Sequence, residues 1–228
     1  MGKKRKAWIH VGAPGAGDIV EAALVHHHRS LIELGFASVA RTQAESFRAS
    51  VEMLRTHARW GLRRSDVEGQ WTRLVRRAEK ARADLVFSQP MLAEAAPEQV
   101  DLLVDALVGF QVNVVVSAEG PRESAALEAT VLRWERAVRK PERLHVLAVA
   151  EETPEAVWRA FGRLVGFGTA SLGLDDVPPT VPVCTTLPEA RRELERLARR
   201  NASLEVRLEE VDPKRRRLRR RSERRTAA

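Results

Sequence analysis

The sequence predicts an α/β fold, a parallel sheet flanked by helices, followed by a C-terminal coiled-coil-like helix. Three observations predict it. Five short apolar runs alternate with stretches of helical periodicity, the pattern of strand–crossover–strand units. One of them, Val112-Asn113-Val114-Val115-Val116, is β-branched and almost uninterrupted, as a strand buried on both faces must be. And Ala7-Trp8-Ile9-His10-Val11 leads through Gly12-Ala13-Pro14-Gly15-Ala16-Gly17-Asp18 directly into Ile19–Leu24. That is the strand–loop–helix layout in which loop amides and a helix N-terminus face an anion.

In chain order, the predicted strands are Ala7–Val11, Ser38–Ala40, Asp84–Phe87, Val112–Ser117 and Leu144–Ala150. Val20, Ala23, Leu24, Leu31 and Leu34 predict a first helix closed by Gly35. From Gln43 to Arg82 helix formers carry an apolar stripe of Phe47, Val51, Leu54, Trp60, Trp71, Leu74 and Val75. Gly61 and Ser65-Asp66 are expected to divide it in two. Pro97-Glu98-Gln99 opens a helix that ends at Gly109, and further helices are expected over Ala125–Val138 and Pro154–Leu164. Gly166–Thr186, rich in Gly, Pro and Thr, reads as a linker or a loop packed on the domain. The expected organisation is a basic tail (1–6), an α/β domain (7–167), a linker or loop (168–185), an amphipathic helix (186–212) and an Arg-rich tail (213–228).

A chain of 228 residues holds one medium domain with a real core, and a hydrophobic content of 44% excludes a disordered composition. No apolar run approaches the roughly 20 residues of a membrane helix, so no transmembrane segment is expected. Cys184 is the single cysteine, which rules out an intrachain disulfide and makes a cytoplasmic location the expectation. The net charge of +8 is a property of one end. Pro213–Ala228 carries nine Lys/Arg against Glu223 alone, and the rest of the chain has equal numbers of basic and acidic side chains. The body is therefore no basic nucleic-acid binder.

Thr186-Leu187-Pro188-Glu189 supplies a capping box with proline in the first turn, and heptads follow. Leu187, Leu194, Asn201 and Leu208 fall at position a; Ala190, Leu197, Leu204 and Val211 fall at d. A lone Asn at a fixes register in parallel dimers, and Arg200 with Glu205 and Arg207 with Asp212 are opposite in sign across such a pair. Residues 187–211 are thus a candidate parallel homodimer seam, with Leu194, Leu197, Asn201, Leu204, Leu208 and Val211 at its interface. The same spacing suits a single amphipathic helix lying on its own domain. Pro213 interrupts the helix. Arg215, Arg216, Arg217, Arg219, Arg220 and Arg221 form either a solvated tail or a nonspecific site for an anionic polymer or membrane, without an aromatic residue for base stacking.

Other chemistry is sparse. His26-His27-His28 are consecutive, so on a helix they splay apart and lack metal-site spacing; a solvated or interfacial face is expected. His10 and His145 lie within strands and are expected to be packed. Ser88-Gln89-Pro90 ends a strand, where such sheets place functional residues, yet it contains no carboxylate to act as a base.

The run Ile9-His10-Val11-Gly12-Ala13-Pro14-Gly15-Ala16-Gly17 resembles the 5′-phosphosulfate loop of bacterial sulfotransferase-like proteins, which reads G-x-P-K-T-G-T-T. Val112–Ser117 with the helix reaching Trp134 resembles the family's 3′-phosphate strand and helix. Arg143–Leu147 followed by Val157–Phe161 resembles its later pair. The resemblance spans Ala7–Phe167 and implies a P-loop-type fold with 3′-phosphoadenosine 5′-phosphosulfate as ancestral cofactor. On it, Gly12, Pro14, Gly15, Gly17, Asp18, Ser117 and Arg122 are the cofactor-site positions. The family's loop lysine falls on Gly15, its hydroxyl residues on Ala16, Asp18 and Ile19, and its 3′-phosphate arginine on Glu119, with Arg122 a turn further on. Sulfuryl transfer needs preorganised cations, and here the lysine is gone and a carboxylate stands where the helix opens. The resemblance therefore implies a retained fold with catalysis lost and a role as a binding or assembly module, needing no cofactor. Two other readings stay open: an active sulfotransferase using that cofactor through Arg122 or Arg41, and an adaptor acting through its Arg-rich tail.

Overall fold

The computed structural model describes residues 4–12, 16–117, 125–138, 140–147 and 153–177, all within one compact unit that spans 1–181. The heptad positions, the Arg-rich tail, Pro14, Gly15, Glu119 and Arg122 lie outside the described residues.

The chain opens with β1 (Lys6–Gly12), then α1 (Ala16–His26), α2 (His28–Glu33) and the short β2 (Phe36–Ser38). The α3 helix (Gln43–Leu54), the 3₁₀ turn η1 (His57–Trp60), α4 (Arg64–Val67) and α5 (Gln70–Ala81) lead to β3 (Asp84–Ser88). A second 3₁₀ turn, η2 (Pro90–Glu94), and α6 (Pro97–Asp105) precede β4 (Gln111–Ser117). Then come α7 (Ala125–Val138), η3 (Pro141–Arg143), β5 (Leu144–Leu147) and α8 (Pro154–Val165). The five strands form one parallel sheet in the order β2-β3-β1-β4-β5, so the predicted α/β class with a helix-flanked parallel sheet is the observed one.

The pleat sorts alternate side chains into two cores. Ala7, Ile9 and Val11 of β1, Leu85 and Phe87 of β3, and Val112, Val114 and Val116 of β4 pack with residues of α3, α5, α6 and α7. Trp8, Val86, Val115 and Leu147 pack instead with α1, Leu31 of α2, and Val157, Trp158, Phe161 and Val165 of α8. Beyond α8, Phe167 and Leu172 join this second core, and the Trp158 indole N–H donates to Leu172 O at 2.7 Å.

Four expectations need correction. The first helix breaks at His27 (φ −88°, ψ 15°), giving α1 and α2. There the ring of His27 stacks on Trp158 and its Nε2–H donates to Gly173 O at 2.7 Å, a contact from the segment that follows α8. The Gln43–Arg82 region divides into α3, η1, α4 and α5 rather than two helices. Trp60 in its stripe is 49% exposed, resting edge-on against Phe47 instead of entering the core. The β2 ladder covers Phe36–Ser38; Val39 and Ala40 are buried beyond its last paired residue, which is why the apolar run extends past the strand.

Candidate functional site

In a parallel sheet the crossover helices leave from the carboxyl ends of the strands, and right-handed crossovers place helices of opposite travel on opposite faces. The α1 helix that follows β1 packs on one face; α6 after β3 and α7 after β4 pack on the other. β1 therefore lies at a switch point, where open sheets hold their ligands. Gly12, Ser88, Gln89 and Ser117 all lie at this edge.

Gly12 pairs in register with Ser117, and a Cβ on Gly12 would fall on the Ser117 hydroxyl. That hydroxyl is engaged. His10 Nε2 lies 3.1 Å from Ser117 Oγ and His10 Nδ1 lies 2.8 Å from Ser88 Oγ, so one imidazole ties the three central strands together. A neutral imidazole offers one N–H and one lone pair, which lets one serine accept while the other donates. Burial pushes the His10 pKa down to about 3, and Phe161 covers the ring edge-on. His10 is a packed histidine, far from the pKa of an effective base at neutral pH.

Gly17 and Asp18 are the second and third residues of α1. Asp18 thus lies inside the first turn, not at the capping position ahead of it, although its charge still sits at the positive end of the helix dipole. One turn further, Glu21 is 7% exposed. Its Oε1 accepts from Gln89 Nε2 at 3.1 Å, and it is hydrogen-bonded to Ser46 of α3. The Ser46 hydroxyl donates to Ser88 O at 3.1 Å. Burial raises the Glu21 pKa to about 8 against the Ser46 bond, and the charge of Asp18 adds to the rise. At neutral pH this carboxyl keeps its proton. The Ser88-Gln89-Pro90 turn does have a carboxyl beside it after all, supplied by α1 from 68 positions away. The sequence signal for Glu21 was only its place two turns into the helix after the loop.

Cations are scarce at this edge among the described residues. Arg41, the candidate on the β2 side, is exposed; its own N–H donates to Glu45 at 2.9 Å. It follows an edge strand separated from β1 by β3, roughly 10 Å at two strand spacings. Glu45 is held by Arg77 at 2.6 and 2.8 Å, and that bond first of all brings its pKa down to about 2.

The three consecutive histidines have separate partners. His26 is exposed and meets His27 edge-on, His27 is held by Trp158 and Gly173, and His28 Nδ1–H donates to Val25 O at 2.9 Å. No group of three His, Cys, Asp or Glu among the described residues is arranged to hold a metal ion. His145 is half-buried against Trp8, with burial lowering its pKa. Among the described residues no helix is long and apolar enough to cross a membrane.

No family model and no curated protein matches the chain. Among solved structures, the sulfotransferase domain from the curacin biosynthetic pathway is similar over 86% of this chain and 99% of its own, at 12% identity and a TM-score of 0.35. The fold stands on the strand order and the packing of its helices.

Proposed function

We propose that the protein is a sulfotransferase-like α/β domain that has lost sulfuryl transfer and serves as a binding or assembly module. The supporting observation is the pair of acids on the first two turns of α1. A phosphosulfate brings negative charge to this place, and its transfer builds more, which preorganised donors and cations must meet. Here the first turn carries Asp18, and the second carries a carboxyl so short of compensating charge that it keeps its proton. An incoming anion would meet Asp18 and drive Glu21 further toward its neutral form. Gly12 keeps its place because β4 leaves no room for a side chain, a reason that holds with or without a ligand.

Assembly in this proposal belongs to the C-terminal heptads, Leu194 to Val211, as a parallel homodimer. The Arg-rich tail is a nonspecific contact for anionic polymer or membrane. Calorimetric titration with 3′-phosphoadenosine 5′-phosphate tests the loss of the cofactor site. Wild type is expected to give no binding at micromolar ligand, and Gly15→Lys with Asp18→Thr is expected to gain it. Tight binding by wild type overturns the proposal in favour of an active enzyme with relocated cations.

A further inference from the structure

We propose that the cavity walled by α3, η1, α4, α5 and α6 binds a small organic monoanion with a compact apolar body, such as an aromatic carboxylate. The cavity has a volume of about 570 Å³, a size that suits a small molecule. It belongs to the helices on the face opposite α1, so it is independent of the loop after β1.

Its lining sorts by polarity. Met53, Val67 and Trp71 form a buried apolar floor, and Leu102 of α6 stands 36% exposed on the wall. An apolar body laid against Leu102 removes that surface from water. Cations are at the rim: Arg55 at the end of α3 and Arg64 on α4, with His57 between them in the chain.

The acids in the lining are already committed. Glu52 accepts from the Gly69 and Trp71 N–H groups at 2.6 and 2.7 Å, capping α5, and Glu68 holds Arg64 at 3.2 Å. Arg55 makes no ion pair among the described residues. Its backbone is the left-handed cap that closes α3, with φ of 54°, so its side chain leaves the helix end at the rim of the cavity.

One negative charge is the limit. Glu98, Asp101 and Asp105 of α6 line a neighbouring cavity of about 330 Å³ that shares Arg55 and Leu102 with the first. Carboxylates along that side repel any anionic group, so a single carboxylate is held only where it meets Arg55 directly, and nucleotides and sulfated polymers, whose further charges lie away from Arg55, are disfavoured.

Calorimetry on the full chain with 2-naphthoate and its neutral counterpart 2-naphthamide separates charge from apolar burial. The acid is expected to bind about tenfold more tightly than the amide, the worth of one charge-assisted contact. Arg55→Gln, at an exposed side chain, is expected to bring the two to parity. Leu102→Trp intrudes on the wall against which the apolar body lies and is expected to alter the affinity for both severalfold, and the indole N–H resonance of Trp71 is expected to shift with naphthoate in wild type. Equal binding of acid and amide by wild type, no naphthoate binding at millimolar concentration, or unchanged naphthoate binding by Leu102→Trp overturns the proposal. If Leu102→Trp fails to fold, Arg55→Gln decides by itself: parity of acid and amide supports the site, and an undiminished preference for the acid overturns it.

Discussion

Two buried titratable side chains, His10 and Glu21, reach the same edge of the sheet, and the protein settles their charge in opposite ways. His10 has a hydroxyl at each ring nitrogen, so its neutral form is complete and its position is fixed by strands on both sides. Glu21 comes from a helix, takes an amide from Gln89 and a bond with Ser46, and has Asp18 one turn away. Its neutral form is enforced by burial and repulsion. The lesson is that the two titratable side chains buried at this edge are both held uncharged, and neither offers the positive charge that an anion site requires. Glu45 supplies the contrast, since Arg77 lets that carboxyl stay ionised.

His10→Ala should be the most damaging substitution, costing about 4 kcal/mol through the cavity left behind and the two hydroxyls set adrift. Urea denaturation measures it. The pH profile adds a signature. Folded His10 titrates near 3 while the unfolded group titrates at 6.5, so stability is lost as pH falls from 6.5 toward 3, and His10→Ala should lack that slope.

Glu21→Gln should act in the other direction. The folded pKa of about 8 stands above the ordinary 4.5, so the protonated form's stability is intact below 4.5 and is lost as pH rises through 8. The amide removes that loss, so its advantage grows from little near pH 4 to several kcal/mol above pH 8. Parallel pH profiles for the two proteins would refute the account of Glu21. Gly12→Ala should cost about 2 kcal/mol, because Ser117 must swing away from His10. Adding Ser117→Ala should recover part of the loss, a coupling that a double-mutant cycle reads directly. Smallest of all, Glu45→Gln should cost about 1 kcal/mol at neutral pH. Its contribution is present above 4.5 and disappears as pH falls through about 2, which acid titration of the melting temperature would follow.

Much of the fold was legible because its causes are local. The β-branched run at Val112–Val116 and the stripe of Ala125–Val138 carry their own periodicity, and the Pro97 and Pro154 starts mark helix openings. The break at His27 was not legible, because its partners are Trp158 and Gly173 and the helical hydrogen bonds run through it on both sides. The site divides in the same way. Gly12 and Asp18 stood out from the loop motif, and Ser117 from the β-branched strand that carries the same resemblance. Glu21 looked like an ordinary helix residue, since only the β2-β3-β1 order turns its side of α1 toward Gln89. Trp60 misled because a stripe shows spacing and not depth.

The central position of β1 also shapes the chain's synthesis. Of the strands of this sheet, the first to be synthesised is the one that needs neighbours on both edges, and those neighbours are the third and fourth strands. His10 meets Ser88 across 78 positions and Ser117 across 107. At typical elongation rates the apolar segment Ala7–Val11 waits roughly 5–20 seconds before its second partner has emerged. Until β3 emerges both of its edges are open to pairing with other nascent chains, and one stays open until β4 follows. A chaperone that shields β1 during synthesis is therefore expected to raise the yield of folded protein more than one acting after release.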